Sequence, residues 1–294
     1  IYLAVNYIFI TIHVYVPIYF YNVLDVNRAN LAFVQIFAYS FLLVRPLFSI
    51  IFDKKYFKKR IFLIAFSSLL FITFTILIFN LTSIILFGIF LSLIFTITSI
   101  TDVIIDKYIV ERVENKELED KVSLVMNFGI IFGATLVTIF FQITVSDVSR
   151  PWSSFFIIGI IIIALMPFFS SLVDDDIPKE KLDIETHQYA KELNWINILI
   201  LCIFTFFIYG DRIYQYPAEP YIIDFYCKGN VSLFTILLFV QMIVNIAGVF
   251  VAGRISKNYS RYNLLIYSSL LAGVGVIIAP FMPTILGFMI FFSI

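Results

Sequence analysis

The sequence predicts an all-α polytopic membrane protein, and three observations carry that reading. Hydrophobic residues make up 61% of the 294 and charged residues only 14%. The mean hydropathy is +1.00, whereas a soluble domain of this size needs far more charge to cover its surface. Long apolar runs recur along the whole chain, separated by short polar stretches. A spanning helix needs about 20 apolar residues to cross a hydrocarbon core about 30 Å thick.

The runs that meet this requirement are Ile1–Tyr21, Leu31–Phe52, Ile61–Phe79, Ile84–Ile104, Val122–Thr144, Trp152–Val173, Trp195–Tyr214, Ser232–Gly253 and Asn263–Phe281. They amount to about nine full spans, and a further run begins at Thr284. Asn27, Asn80, Ser123, Pro151, Asn230 and Pro283 are the turn and cap signals between them. The chain opens on Ile1 without an initiator Met and closes on Ile294 inside an apolar run, so it reads as truncated at both ends. Its apolar start runs too far, and lacks the small-residue cleavage site, to be a signal peptide.

Orientation follows from Lys and Arg. Alternate connections carry Lys54, Lys55, Lys58, Lys59 and Arg60; then Lys107, Arg112, Lys116 and Lys121; then Lys179, Lys181 and Lys191; then Arg254, Lys257 and Arg261. The connections between these hold only Arg28, Arg150, Arg212 and Lys228. The basic loops are expected on the cytoplasmic side of a cell or internal membrane. The charged stretch Asp174–Asn194 follows the sixth span and reads as a cytoplasmic linker. It divides residues 1–173, an expected six-helix bundle, from residues 195–294, the start of a second bundle. Pro17 and Asn27 pair with Pro220 and Asn230 at one common offset, an internal echo. Parallel repeats about an axis along the membrane normal are a transporter layout.

Several function classes fall away. A formal net charge of zero argues against a nucleic-acid partner, which calls for a basic surface. A membrane-embedded enzyme needs clustered His, Glu, Asp or Cys ligands or a nucleophile–base pair. The two histidines, His13 and His187, are far apart and no metal spacing appears. No enzymatic activity, metal or cofactor is therefore expected. Cys202 lies in an apolar run and Cys227 in a polar connection, so both read as free thiols without a redox role.

The segment from Ser49 to Arg60 places Asp53 ahead of a basic cluster, Lys54, Lys55, Lys58, Lys59 and Arg60. It resembles the loop between helices two and three of the major facilitator superfamily, Gly-x-x-x-Asp-Arg/Lys-x-Gly-Arg-Arg/Lys, with Ser49 and Tyr56 at the two Gly positions and Phe57 at a basic one. The stretch from Gly248 to Arg254 resembles the degenerate second copy. Asp102 and Asp106 stand as an Asp-x-x-x-Asp, similar to the fourth helix of AmpG-type muropeptide permeases, acetyl-CoA transporters and folate–biopterin transporters. Tyr209-Gly210-Asp211 and Pro220 to Asp224 resemble the seventh helix of the first two groups, though its Lys is missing. Arg45-Pro46-Leu47-Phe48 resembles the Lys-Pro-Leu-Phe of the third. A basic residue usual in helix five of the muropeptide permeases is not evident around Asn127. The resemblance implies two six-helix bundles related by a parallel pseudo-repeat. It further implies a monomeric secondary transporter of a bulky anionic or glycosylated solute, coupled to protons. A transporter-like receptor or scaffold is the alternative.

A charge inside the bilayer costs at least about 2.5–3.5 kcal/mol on insertion scales, so each intramembrane ionisable residue is a candidate. Asp102 lies about 27 Å along the fourth span from Ile84, near the inner interface, with Asp106 one turn further in headgroups or water. The two share a helix face. They could meet the basic loop Lys54–Arg60 as a cytoplasmic gate with Asp53 and Arg254, or form a static, solvated helix end. Asp53 could accept from a helix N-terminus of the other half or cap its own loop. Asp211 is the leading candidate for proton coupling or solute contact, with permanent pairing to Arg212 or Arg45 as its structural reading. Arg45 could fork a carboxylate or phosphate or snorkel to headgroups. His13 is either a proton relay or a satisfied interior histidine. Gln241 and Asn245 could line the cavity or bond between helices. Tyr7, Tyr15, Tyr19, Tyr209, Tyr214 and Tyr216 could form a ring-stacking platform or interfacial belts.

Overall fold

A computed structural model describes residues 1–45, 48–49, 58–112, 116–145, 151–173, 196, 222–255, 261–278, 281–282 and 284. Among these residues there is helix and turn and no strand. The helices are α1 (Tyr2–Asn22), α2 (Arg28–Tyr39, tightening to a 3-10 turn over Ser40–Val44), α3 (Lys59–Phe79), α4 (Ile84–Arg112), α5 (Lys116–Val145), α6 (Ser153–Ser171), α7 (Val231–Ile255) and α8 (Arg261–Ile278). Among the described residues, six helices are long and apolar enough to cross a bilayer: α1, α3, α4, Lys121–Val145 of α5, α6 and Val231–Gly248 of α7. That is the makeup of a multi-pass membrane protein.

Lipid as the solvent explains the surface. Ile61, Ile72, Phe79, Ile85, Val125 and Phe168 are large apolar side chains left exposed on these helices, a pattern that would be a liability in water. The hydroxyls in the spans turn back onto their own helix: Thr11, Thr73, Ser92, Thr98, Thr101 and Thr138 each donate to the carbonyl four residues earlier. With no water in the core, such internal bonds are the available satisfaction.

Helix α1 is the central post. Of its apolar window 78% is buried, against 22–33% for α3, α5, α6 and α7, and 61% for α4. It packs against α5 and α6, while α3 packs on α6 and α4, α2 on α4, and α7 on α5. Tyr15 stacks on Phe141 at 4.1 Å and meets Phe155 edge-on at 5.4 Å. Tyr19 is edge-on to Trp152 at 5.3 Å, and Tyr7 is fully buried. These three tyrosines are bundle packing rather than a belt; Tyr209, Tyr214 and Tyr216 lie outside the described residues.

A proline marks the irregular turn of α1. Over Thr11–Tyr15 α1 widens to a π-helix just ahead of Pro17. Pro17 has no N–H for the His13 carbonyl four residues back, and Gln35 Nε2 of α2 donates to that carbonyl at 3.3 Å. At the end of α2 the Arg45 N–H bonds the Leu42 carbonyl in the tighter 3-10 manner.

The echo at one common offset is present in the backbone. Asp25 and Lys228 both have positive φ, 52° and 53°. Val26 N–H donates to Phe20 O at 3.0 Å, and Gly229 N–H to Ile223 O at 2.9 Å. Leu24 bonds Tyr19 O as Cys227 bonds Ile222 O. Asn27 then accepts from Ala29 N–H at 2.8 Å and opens α2, as Asn230 accepts from Leu233 N–H at 2.9 Å and opens α7. The same turn is built twice, 203 residues apart, the separation at which Tyr21 meets Asp224.

Some expected boundaries shift. Ser123, read as a cap signal, sits inside α5, which begins at Lys116 rather than Val122. One Ser is too weak a signal to stop a helix whose flanking residues favour its continuation. α4 runs to Arg112, past the expected end at Ile104. The span Trp195–Tyr214, the linker Asp174–Asn194 and the run from Thr284 lie essentially outside the described residues.

Candidate functional site

Ionisable side chains from three helices meet at the N-terminal end of α1. Asp102 and Asp106, one turn apart on α4, both face Arg45 at the end of α2. Its guanidinium lies 2.6 Å from Asp106 Oδ2 and 3.5 Å from Asp102 Oδ2. Tyr2 of α1 donates its hydroxyl to the other Asp106 oxygen at 2.9 Å. Arg45 and Asp102 keep about a quarter or less of their side-chain surface, and Asp106 44%. Two carboxylates of α4 share one guanidinium of α2. A competing anion at Arg45 would loosen this tie between the two helices. Nearby, the buried Lys59 at the start of α3 pairs with Glu111 of α4.

The acidic face was read as meeting Lys54–Arg60 in a gate or as a static, solvated helix end, and most of that basic loop lies outside the described residues. Among the described residues it meets Arg45, and Asp106 is tied to two helices while keeping 44% of its side-chain surface. Arg45, expected to fork a solute or snorkel, is held between the carboxylates. Asp53, Lys54 and Asp211 lie outside the described residues. Arg60 is exposed beside Lys59, and Arg254 is exposed near the end of α7.

His13 lies in the π segment of α1, fully buried. The Tyr39 hydroxyl bonds its Nδ1, and its ring stacks on Phe95 at 4.8 Å and 12°. A wide helical turn that brings a histidine against two aromatic rings is the kind of irregularity that recurs at functional sites. Gln241 is half-buried and Asn245 exposed on α7. That helix meets α5 through Ser232, which accepts from Gln142 Nε2 at 2.9 Å, and through Met242, whose sulfur lies 3.7 and 3.8 Å from the Thr135 and Thr138 hydroxyls.

At the opposite end of α1, Tyr21 donates to Asp224 Oδ2 at 2.9 Å. Arg28 pairs with the same carboxylate and lies over the Tyr21 ring at 4.6 Å. Sequence reasoning missed Arg28, Tyr21 and Asp224 as a group, although the repeat offset maps Tyr21 onto Asp224. An apolar cavity of about 360 Å³ lies between α1, α3, α4 and α5, walled by Tyr2, Leu63, Ile105, Tyr108 and Val125. It offers a polar solute almost nothing to bond. Among the described residues no three His, Cys, Asp or Glu side chains gather as a metal site requires.

Cys227, read as a free thiol in a polar connection, is buried within the repeated turn. Burial pushes its thiol up to about 11. The thiolate is the reactive form, so maleimide should label Cys227 slowly at pH 7.5 and faster as pH rises toward 11. Unfolding in dodecyl sulfate should restore the rate of an ordinary thiol. Equal rates in the folded and unfolded states would contradict the buried placement.

The fold and these clusters define a multi-pass helical membrane protein with charged contacts at both ends of a buried central helix. Compared with known proteins, the chain matches no protein-family model and no curated protein.

Proposed function

We propose that the chain is a secondary active transporter of the major facilitator type, moving a bulky anionic or glycosylated metabolite by alternating access with proton coupling. The observation that carries this reading is the turn built twice, 203 residues apart, whose two copies touch through Tyr21 and Asp224. Positions related by an internal two-fold meet each other where they lie on its axis. An axis along the membrane normal between parallel halves is a transporter arrangement. Ionisable groups retained in apolar helices support the same reading.

In this account residues 1–173 rock against residues 195–294. Asp211, Arg45, His13, Gln241 and Asn245 serve solute and proton. Asp53, Lys54, Arg60, Asp102, Asp106 and Arg254 form the gate on the cytoplasmic side. Liposomes holding the protein and an internal pH-sensitive dye test it, with a muropeptide, acetyl-CoA and folate added in turn. Solute-dependent proton entry, lost in Asp211→Asn, is the expected result. Proton entry that persists in Asp211→Asn removes that residue from coupling. Specific solute binding with neither proton entry nor labelled-solute uptake favours a receptor.

A further inference from the structure

The two copies of the repeated turn are chemically unequal where they meet. The first copy contributes Tyr21 and Arg28, and the second contributes Asp224. Each copy is anchored to its own half by bonds that do not cross the seam. Asn27 caps α2 and Asn230 caps α7, and the Tyr226 hydroxyl donates to Met282 O at 3.1 Å. Tyr21 and Arg28 converge on the one carboxylate across the seam. Behind this contact the buried apolar cluster runs without a break from α1, α4, α5 and α6 into Ile222, Ile223, Cys227, Val231 and Phe234.

We infer that Arg28, Tyr21 and Asp224 form a latch that holds the two halves closed at this end of the molecule, opening when the halves separate. Three features suit it to opening. The ionic groups keep 43% and 32% of their side-chain surface, so water can take over both charges without the penalty of a buried pair. The contact joins side chains at helix ends, not in helix interiors, so it can part without breaking a helix ladder. The anchors within each half stay intact when it parts. The latch rests on the transporter reading for its purpose, though not for its test.

Cys227 is a built-in reporter, three residues from Asp224 and buried behind the latch. In a Cys202→Ala background, maleimide labelling of Cys227 is measured in membranes without solute or gradient. A part-exposed ion pair biases an equilibrium by up to about fivefold. Arg28→Gln and Asp224→Asn should each raise the labelling rate by about that factor, and Tyr21→Phe by less. The charge swap Arg28→Asp with Asp224→Arg should bring the rate back to within about twofold of the parent. Unchanged rates in the single variants overturn the latch. So does a raised rate that the swap fails to reverse, since that is the mark of a turn that has merely loosened. A labelling series that follows expectation upholds the latch even beside a silent transport assay, so the two readings fail separately.

Discussion

Arg45→Met should lower stability by about 2–3 kcal/mol in detergent and abolish solute uptake. Removing one partner of a fully buried ion pair costs about 3–5 kcal/mol, because the remaining charge stays buried and unmatched. Asp106 keeps 44% of its surface, so part of that penalty is screened and the lower figure applies. The substitution leaves two carboxylates one turn apart on α4, where like charges repel. Asp102→Asn or Asp106→Asn alone leaves the guanidinium its other carboxylate, so each should cost less than the arginine. The informative variant is the double one. Arg45→Met with Asp102→Asn should recover part of the loss, because it relieves the repulsion that the first change created. Thermal unfolding followed by intrinsic fluorescence reads the order of the four proteins. If Arg45→Met unfolds with the parent, the guanidinium is solvated and the cluster does not hold α2 to α4.

Gly133→Ala should be the second large effect, at about 2–3 kcal/mol of destabilisation. A Cβ at this position of α5 would overlap the carbonyl oxygen of Leu3 in α1, a backbone atom that cannot turn aside. The close approach of α1 and α5 depends on that missing methyl. Gly88 of α4 is the control. A Cβ there meets Val34 Cγ1 at 2.8 Å, a side-chain atom that has to shift at a cost of about 1 kcal/mol, since a β-branched residue is stiff in a helix. Alanine gains about 1 kcal/mol over glycine in a helix interior. Gly88→Ala should therefore come out near neutral, while the same gain in α5 is outweighed. Equal unfolding temperatures for the two variants would mean that α1 and α5 do not pack this closely.

Much of the helical layout was legible in the sequence. Apolar length marks the six helices that are long enough to cross a bilayer among the described residues, and Asn27 and Asn230 act as the caps that their position suggests. The common offset of Pro17 and Asn27 with Pro220 and Asn230 pointed to a repeat that the backbone carries through a whole turn. The partners in the site were less legible, because counting along one helix gives depth and not which neighbour faces it. Depth placed Asp106 near water, and its side chain does keep 44% of its surface, but depth gave no sign that Tyr2 and Arg45 reach it from α1 and α2. Asp224 was read only as part of a motif, since its partners lie about 200 residues earlier. Cys227 reads only as part of a polar connection, and its burial in the cluster that Ile222 and Phe234 share comes from the turn. The π segment at His13 had one visible cause, Pro17, but the wider turn itself leaves no mark in composition.

Counterflow tests the central claim of carrier transport most directly. Liposomes containing the protein are loaded with an excess of unlabelled acetyl-CoA, folate or muropeptide and diluted into a trace of the same labelled solute. A carrier that alternates between two faces should draw label inward to a transient level above equilibrium, and Arg45→Met should remove that overshoot. Label that enters without overshoot, at a rate proportional to its concentration, would contradict alternating access and describe a passive pore instead.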